Sequence, residues 1–497
     1  MIRRLLVANR GEIALRIIRA CRELGIETIS VYSDADANAP HVSAADVAAA
    51  IGPAPATESY LSIPAILAAA EAHHADAVHP GYGFLSENSD FARACEARGL
   101  VFVGPPPDVI ARMGSKIGAR ALMRAAGVPV VPGETPDDQA DDGVQRALTR
   151  IGYPALIKAS AGGGGKGMRD VRAEADALAA IRAARREATA AFGDGTLYVE
   201  RLLDRPRHVE VQIFADHHGE VVHLFDRECS TQRRHQKVIE ESPSPMLTAA
   251  LRARMTDAAV TAARAVGYRN AGTIEFLVEG QGEAAQFFFL EMNTRLQVEH
   301  AVTEAVVGVD LVRGQLLVAS GEPLPWRQTS LSQRGHAIEA RIYAEDPRRT
   351  FLPQAGPLLL YREPRMPGVR VDSGVVEGGQ VSVHYDPMLA KVIAAGETRE
   401  AARARLVAAL RAYPILGVRT NIPFLITVLD HPAFRAGQVD TGFLDREARA
   451  FAPVDAELPP PFIVDALRET AVADSPNRTS ARRGADDPWA QLRGWRG

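Results

Sequence analysis

Short apolar runs alternate with amphipathic stretches over the first hundred residues. Leu5-Leu6-Val7-Ala8 is continuously apolar, the pattern of a strand buried on both faces. Gly11 follows it, then helix-period sequence to Leu24, Gly25, and a second strand over residues 28–32. The alternation continues with a helix over 63–72, a strand over 77–79, a helix over 91–98 and a strand over 101–103. Strands separated by helices of this length predict a parallel α/β sheet. The first turn, Ala8-Asn9-Arg10-Gly11-Glu12, lacks the GxGxxG spacing, which argues against a dinucleotide site despite the Rossmann-like start. Gly104-Pro105-Pro106-Pro107 closes this unit, near residue 113.

The second region, 114–325, mixes helices with hairpins. Strands are expected over 155–158, 196–201, 209–214 and 221–226. Two more, over 273–278 and 286–293, are joined by Glu279-Gly280-Gln281-Gly282-Glu283, a hairpin signal, and a helix over 297–307 follows. The third region, 330–447, contains an alternating strand over 336–341 and an Ala/Arg-rich helix over 400–412. From 448 the chain is an extension: Pro459-Pro460-Pro461, one short helical stretch, then from 473 a polar, Arg-rich, aperiodic and partly disordered tail.

Composition narrows the function classes. A length of 497 residues suggests about three domains. Lys and Arg number 57 against 61 Asp and Glu, so no electrostatic footprint for generic nucleic-acid binding exists. No apolar run reaches the length of a membrane span, and the N-terminal apolar run is too short for a signal peptide. The three cysteines, Cys21, Cys95 and Cys229, fit neither a disulfide framework nor a zinc site. The expectation is a soluble, cytoplasmic protein. Only five basic residues are Lys: Lys116, Lys158, Lys166, Lys237 and Lys391. In a chain that otherwise uses Arg, a retained Lys points to a place that needs a compact ammonium instead of a planar fork.

Lys158 ends a strand and runs into Ala161-Gly162-Gly163-Gly164-Gly165-Lys166-Gly167. Consecutive glycines let backbone N–H groups close over phosphates. Gly167 stands where a Walker A loop needs Ser or Thr, so this is a different phosphate loop. Lys158 and Lys116 could each meet a phosphate. Strand alternation places Phe289, Glu291 and Asn293 on one face; with Glu275 on the facing arm they offer hard oxygen ligands suited to Mg²⁺. Arg295 and Glu299 are four apart, so a helix through both would place them on one face, either as a surface ion pair or as an anion-binding Arg beside a general base. Residues 226–237 gather Arg227, Gln232, Arg233, Arg234, His235 and Lys237, either a solvated basic loop or an anion site.

Five segments, taken together and in order, resemble the biotin carboxylase family of the ATP-grasp superfamily. They are His79-Pro80-Gly81-Tyr82-Gly83-Phe84-Leu85-Ser86-Glu87-Asn88, the Lys158 glycine loop, Arg207-His208-Val209-Glu210, Gln232 to Lys237, and Glu291 to His300. The resemblance runs from residue 1 to about 447. It implies a Rossmann-like N-terminal α/β domain (1–113), an ATP-grasp domain (114–325) with a mobile lid over about 131–203, and a C-terminal α+β domain (330–447). The implied reaction is ATP-dependent carboxylation of biotin N1 by bicarbonate through carboxyphosphate. By position, Lys116, Lys158, Gly164, Gly165, Glu200, Leu203, His208, Gln232 and His235 would contact ATP. Glu275, Glu291 and Asn293 would hold Mg²⁺, or Mn²⁺ in its place. Lys237, Arg295, Gln297 and Val298 would bind bicarbonate, Glu299 would deprotonate it, and Arg341 would stabilise the enolate-like oxygen of biotin. The family is usually homodimeric. Other ATP-grasp ligases, such as carbamoyl-phosphate-forming enzymes, share the nucleotide half of this pattern.

No lysine lies in the Met-Lys-Met context that accepts biotin. Biotin is therefore expected on a separate carrier protein or domain, with a carboxyltransferase subunit as further partner. Residues 487–496, Asp487-Pro488-Trp489-Ala490-Gln491-Leu492-Arg493-Gly494-Trp495-Arg496, are similar to the segment that follows this region in acyl-CoA carboxylase α subunits of the methylcrotonyl or propionyl kind. Lys391 is given no role.

Overall fold

The computed structural model describes residues 1–160 and 168–451. The glycine loop with Gly164, Gly165 and Lys166, and the whole tail from 452 including the Trp489 segment, lie outside the described residues.

Five strands, β1 (Arg4–Val7), β2 (Glu27–Tyr32), β3 (Val47–Ala50), β4 (Ala77–His79) and β5 (Val101–Phe102), form a parallel sheet in the order 3-2-1-4-5. The apolar β1 run divides by alternation. Leu5 and Val7 pack with the helix Gly11–Glu23 on one face; Leu6 and Ala8 pack with Ile29, Val31 and Ile66 on the other. β3 was not legible in the sequence. Val47-Ala48-Ala49-Ala50 has little β-propensity, and it becomes a strand by pairing with β2.

A four-stranded antiparallel sheet follows: β6 (Gly133–Glu134), β7 (Ala155–Ala159), β8 (Arg169–Val171) and β9 (Leu197–Arg201), in the order 6-9-7-8. With the helices Asp141–Ile151 and Ala177–Phe192 it encloses its own small core of Val144, Leu148, Ile157, Ile181 and Val199.

The largest layer is an eight-stranded antiparallel sheet. Its strands are β10 (Arg207–Ala215), β11 (Val221–Arg233), β12 (Gln236–Ser242), β13 (Asn270–Glu279), β14 (Gln286–Asn293) and β15 (His336–Tyr343), together with Met388–Gly396 and Val369–Ser373. The order is 14-13-10-11-12-15, then 388–396, then 369–373, so strands from both expected regions join one sheet. In β10, Val209, Val211 and Ile213 face a core beneath the helix Ala249–Val266, while His208, Glu210 and Gln212 face the other way. All nine residues of β10 are nevertheless buried, so that second, polar face is covered as well.

Three expectations change. The 226–237 segment is no solvated loop: β11 runs through it to Arg233, and Arg234 and His235 form a two-residue turn into β12. Both have positive φ, at 50° and 65°, the backbone a type I′ hairpin turn requires. Cys229, expected in that loop, is a fully buried strand residue. The helix expected over 297–307 begins only at His300, so Arg295 and Glu299 are not one helical turn apart and do not pair; Arg295 binds Glu87 instead. Finally, the β13–β14 register slips after Glu275↔Glu291, and the next pair is Phe276↔Phe289. Leu290 is the extra residue of a β-bulge. Phe289 therefore joins the apolar core with Phe276 and Phe287, while Glu291 and Asn293 turn to the polar side. Unbroken alternation would have put Phe289 and Glu291 together.

Candidate active site

The polar face of the large sheet and the edge of the small sheet enclose a cleft of 510 Å³. Every site residue predicted from the sequence that lies among the described residues lines it. Lys116, Lys158, Glu200 and Leu203 stand at one end, and His208, Gln232, His235, Glu275, Glu291 and Asn293 follow. Lys237, Arg295, Gln297, Val298, Glu299 and Arg341 stand at the other end.

The centre of the second end is Lys237. Its ammonium donates to Glu210 Oε2 at 2.6 Å, Glu275 Oε1 at 2.8 Å and Glu299 Oε1 at 2.6 Å, one carboxylate for each proton. Burial alone would lower its pKa, but the three carboxylates outweigh that and hold it well above the lysine range. Arg341 fixes the other side of Glu299. Its Nη2 donates to Glu299 Oε2 at 3.0 Å and its Nε to Glu240 Oε1 at 2.6 Å. Burial would raise the Glu299 pKa; Lys237, Arg341 and Arg227 instead hold it far below the carboxylate range. Glu299 is thus an ionised, buried carboxylate gripped by cations.

Sequence reasoning assigned no role to Glu210, Glu240 and Glu339 of this cluster, and named Arg227 only as part of a basic segment. Glu210 receives both Lys237 and Arg227, whose Nε lies 2.5 Å from Glu210 Oε1. Arg227 is completely buried and also donates to Gln212, Thr303, Thr273 and Gln297. Glu240 anchors Arg341. Glu339, paired in register with Glu240, is fully buried, and neither of its oxygens has a hydrogen-bond partner. Burial pushes the Glu240 pKa up to about 7 and that of Glu339 well above its ordinary value. The period-2 placement of Glu210 and Gln212 between Val209, Val211 and Ile213 was the available signal for Glu210. Glu87, quoted within a motif but given no role, accepts Arg295 Nε at 2.8 Å and the Thr294 N–H at 3.1 Å.

At the first end Lys158, from β7, pairs with Glu200 on β9, and Arg120 lies 3.1 Å from the same carboxylate. Lys116 begins the helix Lys116–Ala125. Its pKa is lowered, first by burial and then by the repulsion of Lys158, against the pull of Glu291. Between the ends, His208 Nε2 sits 2.9 Å from Glu275 Oε2, and Gln232 Nε2 donates to His208 Nδ1 at 2.9 Å. Burial is the largest influence on His208 and would lower its pKa, but the charge and hydrogen bond of Glu275 together with the charge of Glu210 raise it.

Glu275 and Glu291 stand directly opposite on adjacent strands. Like charges so placed repel, and the Glu291 pKa is raised by burial and by Glu275. With the Asn293 amide oxygen they form an all-oxygen donor set, and Glu291, whose nearest cation Lys116 makes no hydrogen bond to it, leaves that set open to a hard divalent cation beside the Lys237 and His208 contacts of Glu275. The tighter groups His208–Glu210–Glu275 and Glu210–Cys229–Glu299 fit less well, since Lys237 already sits among their carboxylates.

Family models match most of the chain. The biotin carboxylase N-terminal domain covers residues 1–110, the carbamoyl-phosphate synthase L chain ATP-binding domain covers 115–327, and the biotin carboxylase C-terminal domain covers 339–446. The biotin carboxylase of Halalkalibacterium halodurans is 51% identical over 444 residues, 89% of this chain and 97% of that protein. The chain belongs to the biotin carboxylase family. It is thereby an ATP-grasp carboxylase, a ligase type that forms C–N bonds. The mitochondrial methylcrotonoyl-CoA carboxylase subunit alpha of Oryza sativa is 53% identical over 446 residues, and there the chain spans 60% of the relative's length. A structure of the biotin carboxylase domain of Hydrogenobacter thermophilus 2-oxoglutarate carboxylase, solved as a dimer with MgADP, ADP and bicarbonate, superposes with a TM-score of 0.86. It is 42% identical and covers 92% of this chain and 100% of that one. Among the described residues no helix is long and apolar enough to cross a membrane.

Proposed function

We propose that this chain carboxylates N1 of biotin, held on a separate carrier protein or domain, using ATP and bicarbonate by way of carboxyphosphate. The observation that carries the reading is Glu299, ionised and gripped between Lys237 and Arg341 at one end of a cleft whose other end is cationic.

The residues divide the work. Lys116 and Lys158 draw the nucleotide phosphates, and Leu203, His208, Gln232 and His235 border the same space. Bound Mg²⁺, held by Glu275, Glu291 and Asn293, supplies charge neutralisation for phosphoryl transfer. Bicarbonate enters beside Lys237, Arg295, Gln297 and Val298. As Lys237 turns part of its charge to the anion, Glu299 loses a cation and gains basicity when a proton must be taken. Arg341 then holds its guanidinium toward the ureido oxygen of biotin, where negative charge develops. The small sheet has a core of its own, which suits a lid that closes as a unit and keeps water from carboxyphosphate.

We read the chain as an N-terminal domain (1–113), an ATP-grasp domain (114–325), a C-terminal domain (330–447) and an extension. The acceptor system is of the acyl-CoA carboxylase kind, with a carboxyltransferase partner and a homodimeric carboxylase. The three buried thiols suit a reducing, cytoplasmic setting. The reading is tested by ADP release with MgATP and bicarbonate, with and without free biotin, for wild type, Glu299→Gln and Arg341→Ala. Biotin-stimulated release that both substitutions abolish supports it; release indifferent to biotin and to both substitutions refutes it.

A further inference from the structure

Lys391 is the one lysine among the described residues outside the cleft lining, and it is completely buried. It projects from the strand Met388–Gly396 as the register partner of Arg341. Its ammonium donates to the backbone carbonyl of Val298, lies 3.3 Å from Glu12 Oε1 and 3.9 Å from Asp372 Oδ2. These partners come from three distant stretches of chain. Glu12 starts the first helix, Val298 precedes the helix His300–Val307, and Asp372 lies on the neighbouring strand.

Each partner is itself constrained. Glu12 Oε1 accepts the Tyr82 hydroxyl at 2.6 Å. Asp372 is held by Arg370 through two hydrogen bonds of 2.9 and 2.7 Å. A buried ammonium is unfavourable unless its protons are satisfied and its charge is opposed. Here a carbonyl and two carboxylates approach a point charge from separate directions, which a planar guanidinium fork would match poorly. Burial would lower the Lys391 pKa; Glu12, Glu339 and Asp372 raise it, so the group stays charged.

The contact with Val298 gives this pin a task. The 298–299 peptide is planar and trans, so turning its carbonyl to Lys391 turns the Glu299 N–H to the opposite side. Glu299 is also the residue that caps the following helix, and its side chain leaves the backbone at that point. We propose that Lys391 is a positioning residue: it clamps the Val298 carbonyl between Glu12 and Asp372, and so sets the direction in which Val298 and Glu299 meet the anion. The proposal rests on the functional reading above and adds a residue that reaches the reaction only through a peptide group.

The test compares wild type with Lys391→Met, Lys391→Met/Glu12→Gln and Glu12→Gln. The double substitution removes the cation together with a counter-charge. Glu12→Gln keeps Lys391 and the shape, and serves if both Met variants fail to fold. In every folded variant the Michaelis constant for bicarbonate should rise at least threefold and turnover should fall about tenfold, while that for ATP moves less than twofold. Amide hydrogen exchange over residues 297–302 should quicken in the same variants. Exchange and bicarbonate constants equal to wild type in a folded variant would overturn the proposal. A wild type that lacks bicarbonate-dependent turnover would sink the functional reading, and the exchange experiment would still judge the pin.

Discussion

The two ends of the cleft balance charge in opposite directions. Around Lys237, five buried carboxylates (Glu210, Glu240, Glu275, Glu299 and Glu339) interleave with Lys237, Arg227 and Arg341; His208 adds charge beside Glu275, and Lys391, which acts on Glu339, is shared with two further acids, Glu12 and Asp372. At the first end, Lys158 and Arg120 gather on Glu200, and Lys116 stands between Glu291 and Glu200 without an ion pair to either, three cations to two acids. A surplus of cation is a site waiting for an anion as large as a polyphosphate. A surplus of carboxylate, two of them with raised pKa values, is a site that holds protons and metal and keeps its cations fixed. Lys158 and Glu200 of the first end stand on the small sheet with its separate core; the second end lies within the eight-stranded sheet, where its charged groups are fixed by one another.

The sharpest way to break this comparison is Glu299→Gln. Loss of a general base should lower turnover by about 10²- to 10⁴-fold. The Michaelis constant for ATP should stay within about twofold, because the proposed function assigns ATP to the other end; initial-rate kinetics check both. Arg341→Ala comes next. It leaves Glu240 and Glu299 buried without their shared cation, so stability should fall by about 3–5 kcal/mol in denaturant unfolding, together with biotin-dependent turnover. Lys158→Met should behave differently. Arg120 still neutralises Glu200, so unfolding should shift by at most about 1 kcal/mol, while the Michaelis constant for ATP rises about tenfold or more.

The smallest effect is a pH signature. Glu240 and Glu339 have folded pKa values above those of the unfolded chain. Their contribution to stability is complete below about pH 4.5 and is lost as pH rises through the folded values, near 7 for Glu240. Glu339→Gln removes this proton uptake on folding and keeps a neutral donor beside Glu240, whose Oε2 has no partner. Its melting temperature should exceed that of wild type by about 1–3 °C at pH 8 and by less at pH 5. Equal shifts at the two pH values would show that Glu339 is not protonated in the fold.

Much of the cleft lining was readable in the sequence because its residues come in tight local motifs with chemistry in their spacing. Four of the five strands of the parallel N-terminal sheet were legible for the same reason, being locally apolar between locally periodic helices; β3 was not. What escaped depends on pairings far apart in the chain. The Leu290 bulge that separates Phe289 from Glu291 follows from the register against β13, which no single strand encodes. The basic segment around Arg227 and Lys237 is a hairpin because β10 and β15 pair with it from either side, and Arg227 finds its partners 15 to 76 residues away. Lys391 meets Val298 across 93 residues. A scarce lysine hinted that such a contact exists; only the fold supplies the partner.

The most direct measurement is transfer of label from ¹³C-bicarbonate to biotin, read by mass spectrometry with MgATP and purified chain. Wild type should form carboxybiotin, and Glu299→Gln should form almost none while still binding ATP with wild-type affinity. Carboxybiotin formed equally by both, or ATP binding lost together with carboxylation, would contradict the division of labour between the two ends.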